Sequence, residues 1–135
     1  MNNFVFAVIT LDRALIWKHS LESGTFPEFV EASDDNPQYL KQHNSFSGHR
    51  DRSTINPSFA QKLSVEFMDA EHIYLVGAGS GKANSVNQFV DFLKAKHPNI
   101  AEKVLGTAIV DVNSLSNNQL LEIGRERKTK FLHMV

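Results

Sequence analysis

An apolar run that ends at a series of glycines constrains the fold of this chain more than any other feature. The run is Ile73–Val76, glycines follow at 77, 79 and 81, and a helical pattern begins after Lys82. This order predicts a strand, a tight turn and a helix N-terminus. Free backbone N–H groups at such a junction can bind an anion, and glycines also let a helix pack closely on a sheet. The candidate anion-binding residues are Gly77, Gly79, Ser80, Gly81 and Lys82.

The spacing within this junction departs from two nucleotide-binding motifs. A Walker A motif has four residues between its first glycine and the Gly-Lys pair, whereas three separate Gly77 from Gly81 here. The dinucleotide fingerprint requires a third glycine where Lys82 stands, and it belongs to a βαβ unit, whereas this chain opens with three predicted strands. Phosphate binding and simple close packing therefore both stay open.

Length and composition predict a single domain over residues 1–135, and the order of the predicted elements makes it an α/β domain. The hydrophobic fraction of 41% is enough for one core. With 14 basic and 15 acidic residues, the chain lacks the global positive charge of a non-specific nucleic-acid binder. It has no cysteine, which excludes disulfides and thiolate chemistry and favours a reducing compartment. The N-terminal apolar run is too short for a signal peptide or a membrane span, so we expect a cytoplasmic protein without membrane contact.

Apolar patterning predicts a mixed five-stranded sheet covered by helices. The residues from Phe4 to Ile9 are all apolar, which is typical of a central strand buried on both faces. The following strand lies close enough for an antiparallel hairpin with Asp12 in the turn, and Pro27 marks the third strand as an edge. The predicted elements are strands at 4–9, 14–17, 26–32, 73–76 and 107–112, and helices from Pro57 to near Ala70, from about Val86 to Pro98, and after a cap at Ser114 or Ser116.

The longest irregular segment, residues 33–58, is the candidate nucleic-acid contact. Charged residues are acidic up to Leu40 and mostly basic after it, with Phe46 available for stacking on a base. An ordinary solvated loop is the alternative reading. The candidate RNA-binding residues are Lys41, His43, His49, Arg50 and Arg52. A second basic cluster, which is a further candidate for contact with RNA, closes the chain and comprises Arg125, Arg127, Lys128 and Lys130.

Other reactive residues do not assemble into a recognisable site. Asp12 and Asp111 could meet near strand ends, but two carboxylates without a third partner make a poor metal site. The histidines at 43, 49 and 72 lack a common ligand spacing, and no Gly-x-Ser-x-Gly elbow occurs. We therefore predict no metal, no cofactor and no catalytic residue.

Several of these features together resemble a known family over most of the chain. Between Ser47 and Gly124 the chain resembles the middle domain of archaeal and eukaryotic class-I peptide release factors and of the related ribosome-rescue protein Pelota. It looks closest to the stand-alone bacterial relatives of that domain. The residues that carry the resemblance are Phe59, Leu63 and Phe67, the junction from Gly77 to Lys82, Phe89, Leu93, Lys103-Val104-Leu105, and the opening hairpin with Asp12-Arg13-Ala14.

The resemblance implies an RNase H-like α/β fold of the kind found in translational machinery components, and contact with the ribosome, its RNA or tRNA. Release factors carry a Gly-Gly-Gln tripeptide in the long loop, where it promotes attack of water on peptidyl-tRNA. Residues 41–52 contain no Gly-Gly-Gln here, and Gln42 has no glycine beside it. We therefore predict a translation-associated protein that binds the ribosome, its RNA or tRNA and has no peptidyl-tRNA hydrolase activity.

Two alternatives from other functional classes stay open. One is a small hydrolase or a phosphate- or nucleotide-binding protein that uses the junction at Gly77. The other is a protein–protein interaction module that uses the edge strand around Phe29. The oligomeric state is left open by the sequence.

Overall fold

A computed structural model describes residues 4–11, 13–32, 55–77, 85–111 and 114–132. Five strands form one sheet in the order β3-β2-β1-β4-β5. The strands are β1 (Phe4–Ile9), β2 (Arg13–Trp17), β3 (Glu28–Glu31), β4 (His72–Gly77) and β5 (Val104–Ile109). The predicted mixed five-stranded α/β sheet is confirmed.

Strand directions follow the sequence-based expectation. β1 pairs antiparallel with β2, and β2 pairs antiparallel with β3, which lies at the edge of the sheet. β4 runs parallel to both β1 and β5. The hairpin, the edge position of β3 and the parallel crossover are therefore confirmed, while Asp12 lies outside the described residues.

The described residues contain four helices. They are α1 (Pro57–Val65), α2 (Ser85–Lys96), α3 (Pro98–Ala101) and α4 (Asn117–Leu132). Asn56 caps α1 as predicted, since its side chain accepts a hydrogen bond from the Ser58 N–H at 2.8 Å. His97 separates α2 from α3, and Pro98 is the first residue of α3, a short helix that the sequence did not predict.

Several element boundaries differ from the predictions: β3 spans Glu28–Glu31 instead of residues 26–32, and β5 ends at Ile109 instead of residue 112. α1 ends at Val65 rather than near Ala70, because the backbone N–H groups of Glu66 and Phe67 bond to carbonyls three residues earlier, which forms turns instead of α-helix. Phe67 is nevertheless fully buried. β5 begins at Val104, three residues before the predicted start, and includes Gly106, which interrupts the apolar pattern.

The two faces of the sheet carry separate apolar clusters. In β1, Val5, Ala7 and Ile9 belong to the cluster formed with α1, α2 and α3. Phe4, Phe6 and Val8 belong to the cluster on the α4 side. All six residues of β1 are buried, as its continuous apolar sequence predicted, and the helices lie on both faces.

Lys18 connects three elements at the end of β2. Its Nζ lies 2.7 Å from Glu66 Oε1, just after α1, and 3.4 Å from Glu28 Oε1 in β3. Burial on its own would lower the pKa of Lys18, but the hydrogen bond and the charge of Glu66, together with Glu28, raise it above the ordinary value. Lys18 therefore stays charged at neutral pH and holds the edge strand to α1.

Across the ranges that the structure describes, no helix has both the length and the apolar composition to cross a bilayer.

Candidate functional site

One edge of the sheet brings together one end of each of the five strands, including the ends of β3 and β4, which lead into the predicted sites. The parallel strands β1, β4 and β5 finish side by side, with Ile9 beside Gly77 and Gly77 beside Ile109. Arg13 at the start of β2 pairs with Glu31 at the end of β3 at the same edge. We call this the carboxyl edge, defined by these five residues. In α/β sheets, binding and catalytic loops concentrate at the carboxyl ends of parallel strands.

Both segments that carry the predicted site residues leave the sheet at the carboxyl edge. Residues 33–54 follow β3, and residues 78–84 follow β4. The first segment ends at Ile55, which is buried and whose N–H donates a hydrogen bond to Gln88 Oε1 at 2.7 Å. Gln88 lies in the first turn of α2, directly after the second segment. The two segments that carry the predicted sites, although far apart in sequence, thus join the body at the same edge of the sheet.

Gly77 lies where α2 approaches the sheet most closely. A Cβ atom at this position would lie 2.5 Å from Cγ2 of Val86 and 3.1 Å from Oγ of Ser85. Ser85 in turn donates a hydrogen bond from its hydroxyl to the carbonyl of Ile9 at 2.6 Å. The first turn of α2 is therefore fastened to both β1 and β4, and this close packing accounts for glycine at position 77.

The other members of the predicted anion site lie outside the described residues. These are Gly79, Ser80, Gly81 and Lys82. Anion binding at the junction stays a prediction.

The candidate RNA-binding residues also lie outside the described residues. They are Lys41, His43, His49, Arg50 and Arg52. The flanks of their segment are held within the described body, because Ile55 bonds to α2 and Lys62 Nζ of α1 donates to the carbonyl of Glu31 at 3.3 Å. RNA binding by this segment stays a prediction.

The C-terminal basic cluster lies away from the carboxyl edge. α4 runs back across the sheet, so that Lys128 Nζ is 5.8 Å from the ring centre of Phe4, at the start of β1. The guanidinium carbon of Arg127 is 5.9 Å from the ring centre of Tyr74. Arg125 donates a hydrogen bond to the carbonyl of Leu21. Three of the four cations thus contact the body of the fold, which sequence could not reveal, because helical periodicity does not say which end of a sheet a helix reaches.

The remaining reactive residues are dispersed. His72 begins β4 at the opposite end of the sheet from the carboxyl edge, paired with Phe4. Asp111 is exposed after β5, and its carbonyl accepts hydrogen bonds from the N–H and the hydroxyl of Ser114, both at 3.0 Å. Among the residues with described positions, no three metal-ligating side chains form a group.

A shallow open groove lies beside the second edge strand. Its volume is about 350 Å³, and its walls come from α2 and from Thr107 of β5. The residues that line it are Asn87, Val90, Asp91, Lys94 and Thr107. The sequence did not predict this groove, because Asn87, Asp91 and Lys94 read as an ordinary exposed polar side of α2 and Val90 as part of its apolar side.

Sequence reasoning also missed an exposed aromatic residue. Phe26 is 90% exposed and precedes β3 instead of belonging to it. Its position between Thr25 and Pro27, outside any apolar alternation, is the only sequence signal that could have separated it from the strand.

Comparison with known proteins identifies the fold. No protein-family model and no curated protein sequence matches this chain. Among solved structures it is similar to Pelota from Archaeoglobus fulgidus, with a TM-score of 0.51 and 18% sequence identity. The matched region covers 93% of this chain and 31% of the Pelota chain, so this chain spans under a third of that protein's length. The chain therefore has a fold found in Pelota, for which inter-domain structural plasticity is described.

Proposed function

We propose that this chain is a cytoplasmic, translation-associated protein that binds the ribosome, through ribosomal RNA, or tRNA. The observation that carries the proposal is the likeness of its fold to that of Pelota over 93% of the chain. The proposed contact is the segment 33–54, with Lys41, Arg50 and Arg52 against phosphates and the two histidines beside them.

The placement of this segment supports the proposal. It is attached to the carboxyl edge on both sides, by Glu31 at the end of β3 and by the buried Ile55 before α1. The described body, to which both ends of the segment connect, is packed on both faces of the sheet. The basic half of the segment, residues 41–52, has a local positive charge that suits phosphate recognition even though the net charge of the chain is −1.

Binding without peptidyl-tRNA hydrolysis follows from the sequence of the segment. The tripeptide Gly-Gly-Gln is absent, and Gln42 stands between Lys41 and His43. Without glycines beside it, the backbone at Gln42 lacks the freedom that such a catalytic turn needs. The proposed role is therefore that of a binding protein.

Sedimentation with purified ribosomes tests this function. The chain should co-sediment at low salt, and binding should fall steeply between about 50 and 200 mM monovalent salt, because phosphate contacts release counterions. The double variant Arg50→Glu/Arg52→Glu should weaken binding by about tenfold or more, since two phosphate contacts are lost and two repulsions are added.

Lys130→Glu is the matched control, because it makes the same kind of charge change at an exposed position of α4, remote from the carboxyl edge. It should leave binding within about twofold of the wild type. Absence of co-sedimentation at low salt would refute the function. Equal loss in Lys130→Glu would show that the segment 33–54 is not the contact.

A further inference from the structure

The two edge strands of the sheet differ in the features that discourage pairing with a further strand. β3 is short, carries two glutamates among its four residues and follows Pro27. β5 has six residues, and none of them is charged or a proline. An edge strand presents unpaired N–H and C=O groups, and short length, charge and proline are the usual protection against a second strand. β3 therefore has this protection and β5 lacks it.

The direction of the backbone groups of β5 follows from its pairing with β4. The N–H of Val110 donates to the carbonyl of Gly77 at 3.0 Å and so points toward β4. Successive residues of a strand point their N–H and C=O groups to opposite sides, so those of Ile109 and Thr107 point away from β4. Within the described part of the chain, no strand pairs with that side. We call Thr107 and Ile109 the outer side of β5.

The outer side belongs to the regular part of β5. The register with β4 shifts near Leu105, and from Gly106 to Ile109 the two strands pair residue by residue. A bulge protects an edge where it disrupts the ladder, and this irregularity lies before the outer side. The outer side is therefore a regular template for another strand.

Exposed apolar side chains lie next to the outer side on both faces of the sheet. Thr107 lines the groove beside α2, and Ile109, which points to the same face, is 44% exposed. On the α4 face, Phe131 is 39% exposed, and its ring would lie 3.3 Å from a Cβ atom at Gly106. A strand added to β5 would cover apolar surface on both faces as well as the backbone groups.

A second copy of this chain matches this surface on each face. A two-fold axis perpendicular to the sheet keeps the α2 face and the α4 face of the two copies aligned, so exposed apolar residues of one copy meet those of the other. The groove is lined by one acid and one base, Asp91 and Lys94, and the chain has a formal net charge of −1. This near-neutral surface offers nucleic acid a single cation, whereas low net charge favours self-association.

We propose that two copies of this chain pair antiparallel through β5 and join their sheets into one. Thr107 of each copy faces Ile109 of the other, so every outward N–H of the two outer sides donates to a carbonyl across the axis. A shift by one residue would exchange the two faces of the sheet. A shift toward Asp111 is disfavoured because its carbonyl is already bonded to Ser114.

Sedimentation velocity of the pure full chain from about 1 µM to about 1 mM tests the pairing. We expect a reversible dimer whose fraction rises with concentration, because one pair of strands makes a small interface. The pure chain suffices, so the result does not depend on the proposed RNA contact.

Thr107→Lys should raise the Kd of the dimer by about tenfold or more, because a lysine on an edge strand opposes pairing. Phe29→Lys is the matched control, since it places the same charge at a position of the other edge strand that is 54% exposed. It should change Kd less than about twofold. Both side chains are exposed, so both variants should keep the circular dichroism of the wild type.

Oxidation of single-cysteine variants tests the register, since the chain has no cysteine of its own. In the proposed register Ala108 lies opposite Ala108 of the second copy, in a non-hydrogen-bonded pair whose Cα atoms are about 4.5 Å apart. Ala108→Cys should therefore form a disulfide-linked dimer under mild oxidation. Phe29→Cys, on the other edge strand, is the control and should form far less.

Hydrogen exchange of single amides locates the interface. The N–H groups of Thr107 and Ile109 should exchange fast in dilute solution and slowly in concentrated solution, whereas those of β3 should exchange equally in both.

Several results would overturn the proposal. They are a single chain at every concentration, a dimer whose Kd is unchanged in Thr107→Lys or raised equally in Phe29→Lys, and a disulfide that forms as readily at position 29 as at position 108. Protection of the β5 amides in cell lysate, but not in the concentrated pure chain, would assign the outer side to a strand of another protein instead.

Discussion

Gly77 illustrates what a single residue type can and cannot indicate. Glycine suits both an anion-binding turn and the close approach of a helix, so the sequence left both open. The structure explains the residue by distance, since Val86 and Ser85 occupy the space that a side chain would need. Gly79 and Gly81 lie outside the described residues, so for them anion binding stays a prediction.

Gly77→Ala should destabilise the protein by about 1–3 kcal/mol, because the added methyl group overpacks the contact between β4 and α2. The free energy of unfolding from denaturant titration measures the effect. In the double variant Gly77→Ala/Val86→Ala, part of the loss should be recovered relative to the sum of the two single changes, since the clashing methyl groups of Val86 are removed. A Gly77→Ala protein as stable as the wild type would contradict the packing account.

At the scale of elements, α4 shows which of two possible cap residues begins a helix. The sequence offered Ser114 and Ser116 as caps. The structure uses Ser116, whose N–H donates to Gln119 Oε1 at 2.8 Å while its hydroxyl accepts from the Gln119 N–H at 3.2 Å. This reciprocal pair is a capping box. Ser114 instead bonds back to the carbonyl of Asp111.

Ser116→Ala should lower the free energy of unfolding by about 1 kcal/mol, because it removes the side-chain half of this capping box. Ser114→Ala is the matched control and should lower the free energy of unfolding clearly less, because the exposed hydroxyl of Ser114 caps no helix. Thermal or denaturant unfolding of the two variants side by side gives the comparison. Equal losses would contradict the assignment of Ser116 as the cap.

Element boundaries were harder to predict than the elements themselves. The spacing of Phe59, Leu63 and Phe67 predicted α1, but a tight turn can keep Phe67 inward as well as a helix can, so the end was misplaced. β5 was predicted three residues late because Gly106 reads as a break. In the structure, Gly106 lies against Tyr74 and Phe131, and an added Cβ would come within 3.1 Å of the Tyr74 ring.

At the scale of the whole molecule, strand directions and buried faces could be predicted because connection lengths and apolar alternation determine them. The points where the segment 33–54 joins the sheet, and the end of the sheet that α4 reaches, could not be predicted. Attachment of the segment 33–54 to the carboxyl edge and the return of α4 toward Phe4 both depend on the assembled sheet. The sequence thus predicted which residues form the candidate site. The structure shows where the two ends of their segment join the sheet.

The two apolar clusters share one sheet, so they should unfold together. Leu63→Ala, on the α1 side, should cost about 2–5 kcal/mol because Leu63 is fully buried. It should also shift the fluorescence transition of Trp17, the only tryptophan, which belongs to the α4-side cluster. Fluorescence and far-UV circular dichroism should move to the same lower midpoint.

Val65→Ala is the matched control on the same helix, since Val65 is 52% exposed, and it should leave both midpoints nearly unchanged. Separate midpoints for the two signals in Leu63→Ala would contradict a single cooperative unit.

The fastening of Glu31 and Ile55 to neighbouring helices has an evolutionary consequence. The carbonyl of Glu31 is held by Lys62, and the N–H of Ile55 by Gln88, so the framework closes on either side of the segment 33–54. Lengthening a loop costs little, about 0.6 kcal/mol for each doubling. A lineage that replaced this segment would therefore keep the same sheet, because the two ends of the segment are fixed to the framework whatever lies between them.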